Sequence, residues 1–220
     1  MNANPLSQEG LKAIACAAML LDHVGAVFFP QNLWLRVIGR VAFPIYCFLL
    51  AEGVRHTQNP LRYGLRLLIG LVLAEIPFDL ALFGEISFAH QSVMFTLLLA
   101  FLAIQAAKHF SGPMRFLGLI PILLAELLQT DYGAMGVLTA VLFYITRDME
   151  EKNLLQSLGL LALGISVFTT SFIQPLAVLA MIPISMYSGK KSTGSRALQW
   201  AFYLFYPLHL LILWLTAVFF

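Results

Sequence analysis

LKAIACAAMLLDHVGAVFF, residues 11–29, is an almost unbroken apolar run with one ionisable pair, Asp22-His23, set into its middle. At helical rise such a run extends about 28 Å, close to the ~30 Å hydrocarbon core of a bilayer. The pair and the lack of a small-x-small site after it exclude a cleaved signal peptide. Further apolar runs follow near 33–54, 61–83, 91–107, 114–129, 132–146, 154–171, 174–188 and 198–219, broken by turn residues such as Gln58-Asn59-Pro60 and Ser111-Gly112-Pro113. The pattern predicts an all-α, polytopic membrane bundle of eight or nine spans, occupying 1–220 as a single domain. The uncertain pair is 154–171 and 174–188, which reads equally as one re-entrant hairpin.

Composition gives the same fold class. The chain is 60% hydrophobic and 11% charged, with a mean hydropathy of +0.85, against roughly 25% charged in an ordinary globular domain. A soluble fold is excluded. Of thirteen Lys and Arg residues, all but Arg36 and Arg40 fall at every second boundary between apolar runs: Lys12 and Arg66 in the inner turns of the first and third runs, the others in the connections near 55–62, 108–115, 147–153 and 189–197. The other connections carry none. This positive-inside alternation predicts a multi-pass membrane protein with a cytoplasmic N-terminus. The net charge of +2 belongs to these topogenic cations and implies no nucleic-acid partner. Cys16 and Cys47 sit in apolar runs and read as small core residues.

Ionisable groups inside spans are functional candidates. Counted along each helix, His23, His209 and Arg40 fall at about the same mid-membrane depth, with Glu75 and Asp79 somewhat further out. Arg36 and Arg40 are four apart, as are Glu75 and Asp79, so each pair shares a helix face. They read either as structural ion pairs between the second and third spans or as part of a polar site. Pro44 and Pro77 each free a carbonyl one turn earlier, which suits bent helices.

A neutral imidazole in an apolar site is a natural general base, and His23 is the first candidate, with His209 second. Asp22 points about 100° away from His23 on a helix, so its expected partner is Arg36 or Arg40. Tyr206 precedes His209 by three residues and lies on its face. Glu52 and His56, four apart at the inner end of the second span, read as a solvated helix end, or as groups that pair with Arg55 and Arg62 or meet an anionic cofactor. Asp131-Tyr132-Gly133 reads as a tight outer turn or as a lid contributing Tyr132, and the Arg147 to Lys152 segment as a solvated loop. No metal is expected, since neighbouring arginines oppose a bound cation.

Several blocks resemble one known family: the opening run itself, LRVIGRVAFPIYCFLLAEG (35–53), RYGLRLLIGLVLAEIPFDL (62–80), QSVMFTLLLAFLAI (91–104), YGAMGVLTAVLFY (132–144) and FYLFYPLHLLIL (202–213). Their order and nearly full coverage are similar to the conjugal-transfer pilin acetylase family, TraX. That family is in turn similar to the wider transmembrane acyltransferases, whose first span carries a basic residue, ten intervening residues and a histidine; Lys12 and His23 fit this spacing. The resemblance implies transfer of an acetyl group from cytoplasmic acetyl-CoA to an amine or hydroxyl acceptor on a peptide, glycan or small molecule. In the named family the acceptor is the N-terminal amine of pilin.

The resemblance marks His23 as catalytic, Asp22 and Arg40 as its neighbours, and Tyr206 with His209 as the closing aromatic-histidine block. Acetyl transfer needs a base and an oxyanion stabiliser, for which His23 and Arg40 are expected, with Glu75 and His209 completing the catalytic set. His23 as a covalent acetyl carrier is the other route. Lys12, Arg62 and Arg66, with Lys190, Lys191 and Arg196, are expected to hold the cofactor phosphates at the inner rim. Arg36, Asp79, Tyr206 and Tyr132 are expected to meet substrate. The alternative is a proton-coupled transporter, in which mid-membrane histidines and carboxylates relay protons.

Overall fold

Ser7 opens the first helix by accepting a hydrogen bond from the Gly10 amide at 3.2 Å, the usual way a hydroxyl satisfies an orphan donor of the first turn. In the computed structural model, which describes residues 6–169, 171–189 and 196–219, this helix is α1 (Gln8–Phe28). It is followed by α2 (Leu33–Gly39), α3 (Ala42–His56), α4 (Pro60–Phe83), α5 (Val93–His109), α6 (Leu119–Leu127), α7 (Gly133–Thr146), α8 (Lys152–Ser166), α9 (Met181–Ser185) and α10 (Arg196–Phe219), with 3-10 segments at Gly112–Gly118 and Gln174–Ala180. The described residues contain no strand, only two isolated bridges. The all-helical expectation holds.

Among the described residues, three helical stretches are long and apolar enough to cross a membrane: Gln8–Phe28, Leu33–His56 and Ala197–Phe219. They correspond to the expected spans 11–29, 33–54 and 198–219. Helix α4 is as long, but carries Arg62, Arg66, Glu75 and Asp79. Val93–His109, Gly133–Thr146 and Gln174–Ser185 are apolar and shorter.

The second expected span is broken at Arg40-Val41. Pro44 explains this: its ring clashes with the carbonyl four residues earlier, that of Arg40, and it is tolerated where it stands because the first turn of α3 needs no donor there. Gly39 fits the same place, since a Cβ on it would collide with the Asp22 carboxylate.

The chain divides into two compact units, Met1–Tyr46 with Met149–Phe220 and Cys47–Asp148. In the first, α1 packs on α2 and on α10, and buries the stripe Leu11, Ala15, Ala18, Met19, Asp22 and His23. In the same unit α8 lies close on the 174–180 segment. A Cβ at Gly164 would stand 2.6 Å from the Pro175 Cα, so only glycine lets the two backbones approach this far.

The second unit is built around α5. This helix is apolar all round and buried along most of its length, and α4, α6 and α7 pack against it. At one end the Gln91 amide donates to the Gln129 carbonyl at 3.1 Å and the Asp131 amide donates to the Gln91 carbonyl at 2.9 Å. At the other, Lys108 donates to the Val54 carbonyl at 3.5 Å. There Arg147 also pairs with the buried Glu52, and Arg55 with Asp148 at 2.6 Å. Arg147 thus departs from the solvated-loop reading, since α7 ends beside α3 and its guanidinium meets the buried Glu52. Asp148, its side chain 76% exposed, and residues 149–151 form the exposed turn that reading predicts.

Candidate active site

Asp22 and His23 are adjacent on α1, and their side chains serve different neighbours. Asp22 accepts from Arg36 Nη1 at 2.7 Å and from Arg40 Nη2 at 2.8 and 3.0 Å. Arg36 also donates to the Asp22 carbonyl at 3.1 Å. The carboxylate thus bridges two guanidinium groups of the α2 segment, the partners its helical position predicts. Arg40 Nη1 reaches the Gln174 Oε1 at 3.3 Å. Asp22, Arg40 and Gln174 are all buried.

His23 faces α10. Its Nδ1 lies 2.7 Å from the Nε2 of His209, and the two rings stack with centroids 4.9 Å apart. The other nitrogen of His209, Nδ1, lies 2.7 Å from the Phe205 carbonyl oxygen. Tyr206 closes the group, its ring centroid 6.1 Å from His23 and 5.6 Å from His209. Phe205 stacks on the opposite side of His209 at 4.8 Å. His23, Tyr206 and His209 are buried. Counting depth along the first and last spans thus identified two residues that touch, although 186 positions separate them.

Two turns below His23 on the same face of α1, the Cys16 thiol lies 3.1 Å from the Tyr46 hydroxyl. One turn further down, Lys12 stands over the Phe202 ring at 5.4 Å. Lys12, Cys16 and His23 on α1 and Phe202, Tyr206 and His209 on α10 therefore form facing rows. Cys47, in the second unit, is buried and free, as is Cys16.

Of the remaining expected residues, Glu75, Asp79, Arg62, Arg66 and Tyr132 belong to the second unit. Glu75 accepts from the Ser92 amide at 3.0 Å and from the Ser92 hydroxyl at 2.8 Å, at the start of α5. Asp79 accepts from the Ser87 amide at 2.9 Å. Arg36 and Arg40 thus have Asp22 as their carboxylate, while Glu75 and Asp79 hold backbone of the 84–92 connection. Arg66 stands over the Tyr63 ring at 5.4 Å, and Arg62 opens α4 through its amide, which donates to Asn59 Oδ1 at 2.9 Å. Tyr132 caps α7, followed by Gly133 at φ +51°. Lys190, Lys191 and the side chain of Arg196 lie outside the described residues.

Sequence reading missed Gln174, whose amide was one polar group among many near a chain turn. It also missed the Phe205 carbonyl, which has no side-chain signal. The string Gly39-Arg40, a glycine beside a mid-span cation, was the available hint that a second helix lies against it.

The TraX protein family matches the chain over residues 7–217. This chain belongs to the TraX family. A probable fimbrial assembly protein FimC, serogroup H1, of Dichelobacter nodosus is 35% identical, with 92% of each chain covered. Protein TraX of Escherichia coli is 23% identical over 98% of this chain and 89% of its own length. No solved structure matches.

Proposed function

We propose that this TraX-family chain is an integral membrane acetyltransferase. It takes an acetyl group from cytoplasmic acetyl-CoA and transfers it to an amine, such as the N-terminus of a pilin-like peptide, or to a hydroxyl. The observation that carries the reading is the buried His23–His209 pair on two helices long enough to cross a membrane. An imidazole in such surroundings is a base with few competitors, and water is scarce enough for a thioester to survive. The FimC relative is named for fimbrial assembly, which fits an acceptor of the pilin class.

In the direct route the acceptor amine attacks the thioester carbonyl carbon and His23 takes the N–H proton. The C–N bond forms, the C–S bond breaks, and the thiolate leaves with that proton as CoA thiol. Arg40, anchored by Asp22 and Gln174, supplies positive charge for the oxyanion. In the covalent route His23 itself carries the acetyl group between donor and acceptor. Lys12, Arg62 and Arg66 start helices at the face assigned to the cytoplasm and offer cations to the CoA phosphates. Arg36, Asp79, Tyr206 and Tyr132 are the residues proposed to meet the acceptor.

The sided arrangement of helix ends supports a nine-span topology with a cytoplasmic N-terminus. Ends expected on one side meet one another, as in the Glu52–Arg147 pair and the Leu6–Tyr187 bridge, and ends expected on the other side meet in the Gln91–Thr130 bridge. The test is the purified full chain in lipid nanodiscs, titrated with acetyl-CoA and then given an amine-terminated peptide. Saturable binding, acetylated peptide by mass and an equal release of CoA thiol are expected. In His23→Ala, turnover falls roughly 10²–10⁴-fold while acetyl-CoA binding is retained. Undiminished turnover in that variant, or no acetyl-CoA binding by the wild type, overturns the proposal.

A further inference from the structure

We propose that His209 is a positioning residue that sets the tautomer of His23 and thereby makes His23 Nε2 the reactive nitrogen. The role deepens the acetyl-transfer reading and takes its catalytic meaning from it, but the tautomer itself follows from two distances alone.

A carbonyl oxygen only accepts, so the 2.7 Å contact between His209 Nδ1 and the Phe205 carbonyl places a proton on that Nδ1. A neutral imidazole with its proton on Nδ1 carries its lone pair on Nε2. That Nε2 stands 2.7 Å from His23 Nδ1, and the contact is a hydrogen bond only if His23 Nδ1 donates. Neutral His23 is therefore protonated on Nδ1 and holds its lone pair on Nε2. The chain of donors runs one way, from His23 through His209 to a backbone carbonyl of α10, and the backbone end cannot reverse. In His23 the nitrogen toward α10 is thus a fixed donor, while Nε2 has no hydrogen-bond partner among the described residues.

This is the logic by which a buried acceptor behind a catalytic histidine fixes its tautomer and orients its ring. Here the acceptor is a second imidazole, itself fixed by helix backbone. When His23 Nε2 takes the acceptor's proton, the resulting imidazolium keeps its Nδ1–H on His209. When the departing thiolate removes the proton from Nε2, the pair returns to its starting state. His209 gains and loses no proton in the cycle. The stacked Phe205 ring at 4.8 Å and Tyr206 keep the His209 plane from turning away.

The tautomer is read by 15N NMR of the full chain with labelled histidine in nanodiscs at neutral pH, with the His23 and His209 signals assigned by loss in single variants. Both rings are expected with a protonated Nδ1 and an unprotonated Nε2. A His23 ring protonated on Nε2, or a doubly protonated His209, overturns the proposal without reference to activity. In the kinetic arm, His209→Gln keeps an acceptor near His23 Nδ1 and loses less than roughly tenfold in kcat, whereas His209→Phe keeps the stacking and loses roughly 10²–10⁴-fold with KM for acetyl-CoA unchanged. Wild-type kcat in His209→Phe also overturns it. If wild-type protein transfers no acetyl group at all, the acetyltransferase reading fails while the NMR result still decides the tautomer.

Discussion

Asp22 and His23 show how far a dipeptide can divide its work when the helix turns about 100° per residue. Asp22 anchors two arginines and His23 meets a second histidine, so the two positions should respond to substitution in opposite ways. Asp22→Asn keeps the shape but removes the carboxylate charge that buried Arg40 meets at 2.8 and 3.0 Å. Removing one partner of a buried ion pair costs about 3–5 kcal/mol, and the side chains of Asp22 and Arg40 are only 11% and 10% exposed. Arg36→Met leaves Asp22 its two contacts with Arg40 and removes a side chain already 30% exposed, so it should cost well under half as much. Denaturant unfolding of the three proteins in one detergent checks the order. An Asp22→Asn protein as stable as wild type would remove the clamp. The pairing of Asp22 with arginines was legible because sequence fixes both depth and direction on a helix. Gln174 was not, since nothing in a linear string says which turn of a distant segment is folded against Arg40.

At the scale of elements, the proline and glycine punctuation was readable and the roles of the carboxylates were not. Pro44 lies four residues beyond the break at Arg40, as its steric clash requires, whereas Glu75 looks in sequence like any mid-membrane acid. Its two oxygens take the amide and hydroxyl of Ser92, so a side chain from α4 caps the start of α5. Caps of this kind contribute about 0.5–2 kcal/mol. If capping is its work, Glu75→Gln keeps one acceptor, loses about 1 kcal/mol of stability and retains most acetyl transfer. A drop in kcat beyond roughly 10²-fold with stability intact would instead return Glu75 to the chemistry. Comparing thermal midpoints and turnover in the same preparation separates the two.

For the whole molecule, the alternation of cations is what predicts the topology, because the rule acts on connections and not on packing. Span lengths were less legible: charge in α4 and the 3-10 starts before α6 and α9 shorten what hydropathy alone would assign. Helix α5 is the sharpest test of the nine-span proposal. Its 17 residues rise about 25 Å, just short of the ~30 Å core, and it is apolar on every face. Exposed positions mark its two ends, Ala89 in the connection before it and His109 as its last residue, beside connections without and with cations respectively. Both native cysteines are buried, so background labelling is low. With a membrane-impermeant maleimide, Ala89→Cys should react in intact spheroplasts and His109→Cys only in inverted vesicles. Reaction of both from one side would mean that α5 returns to the face it left, and the count and sidedness of every later span would have to be redrawn.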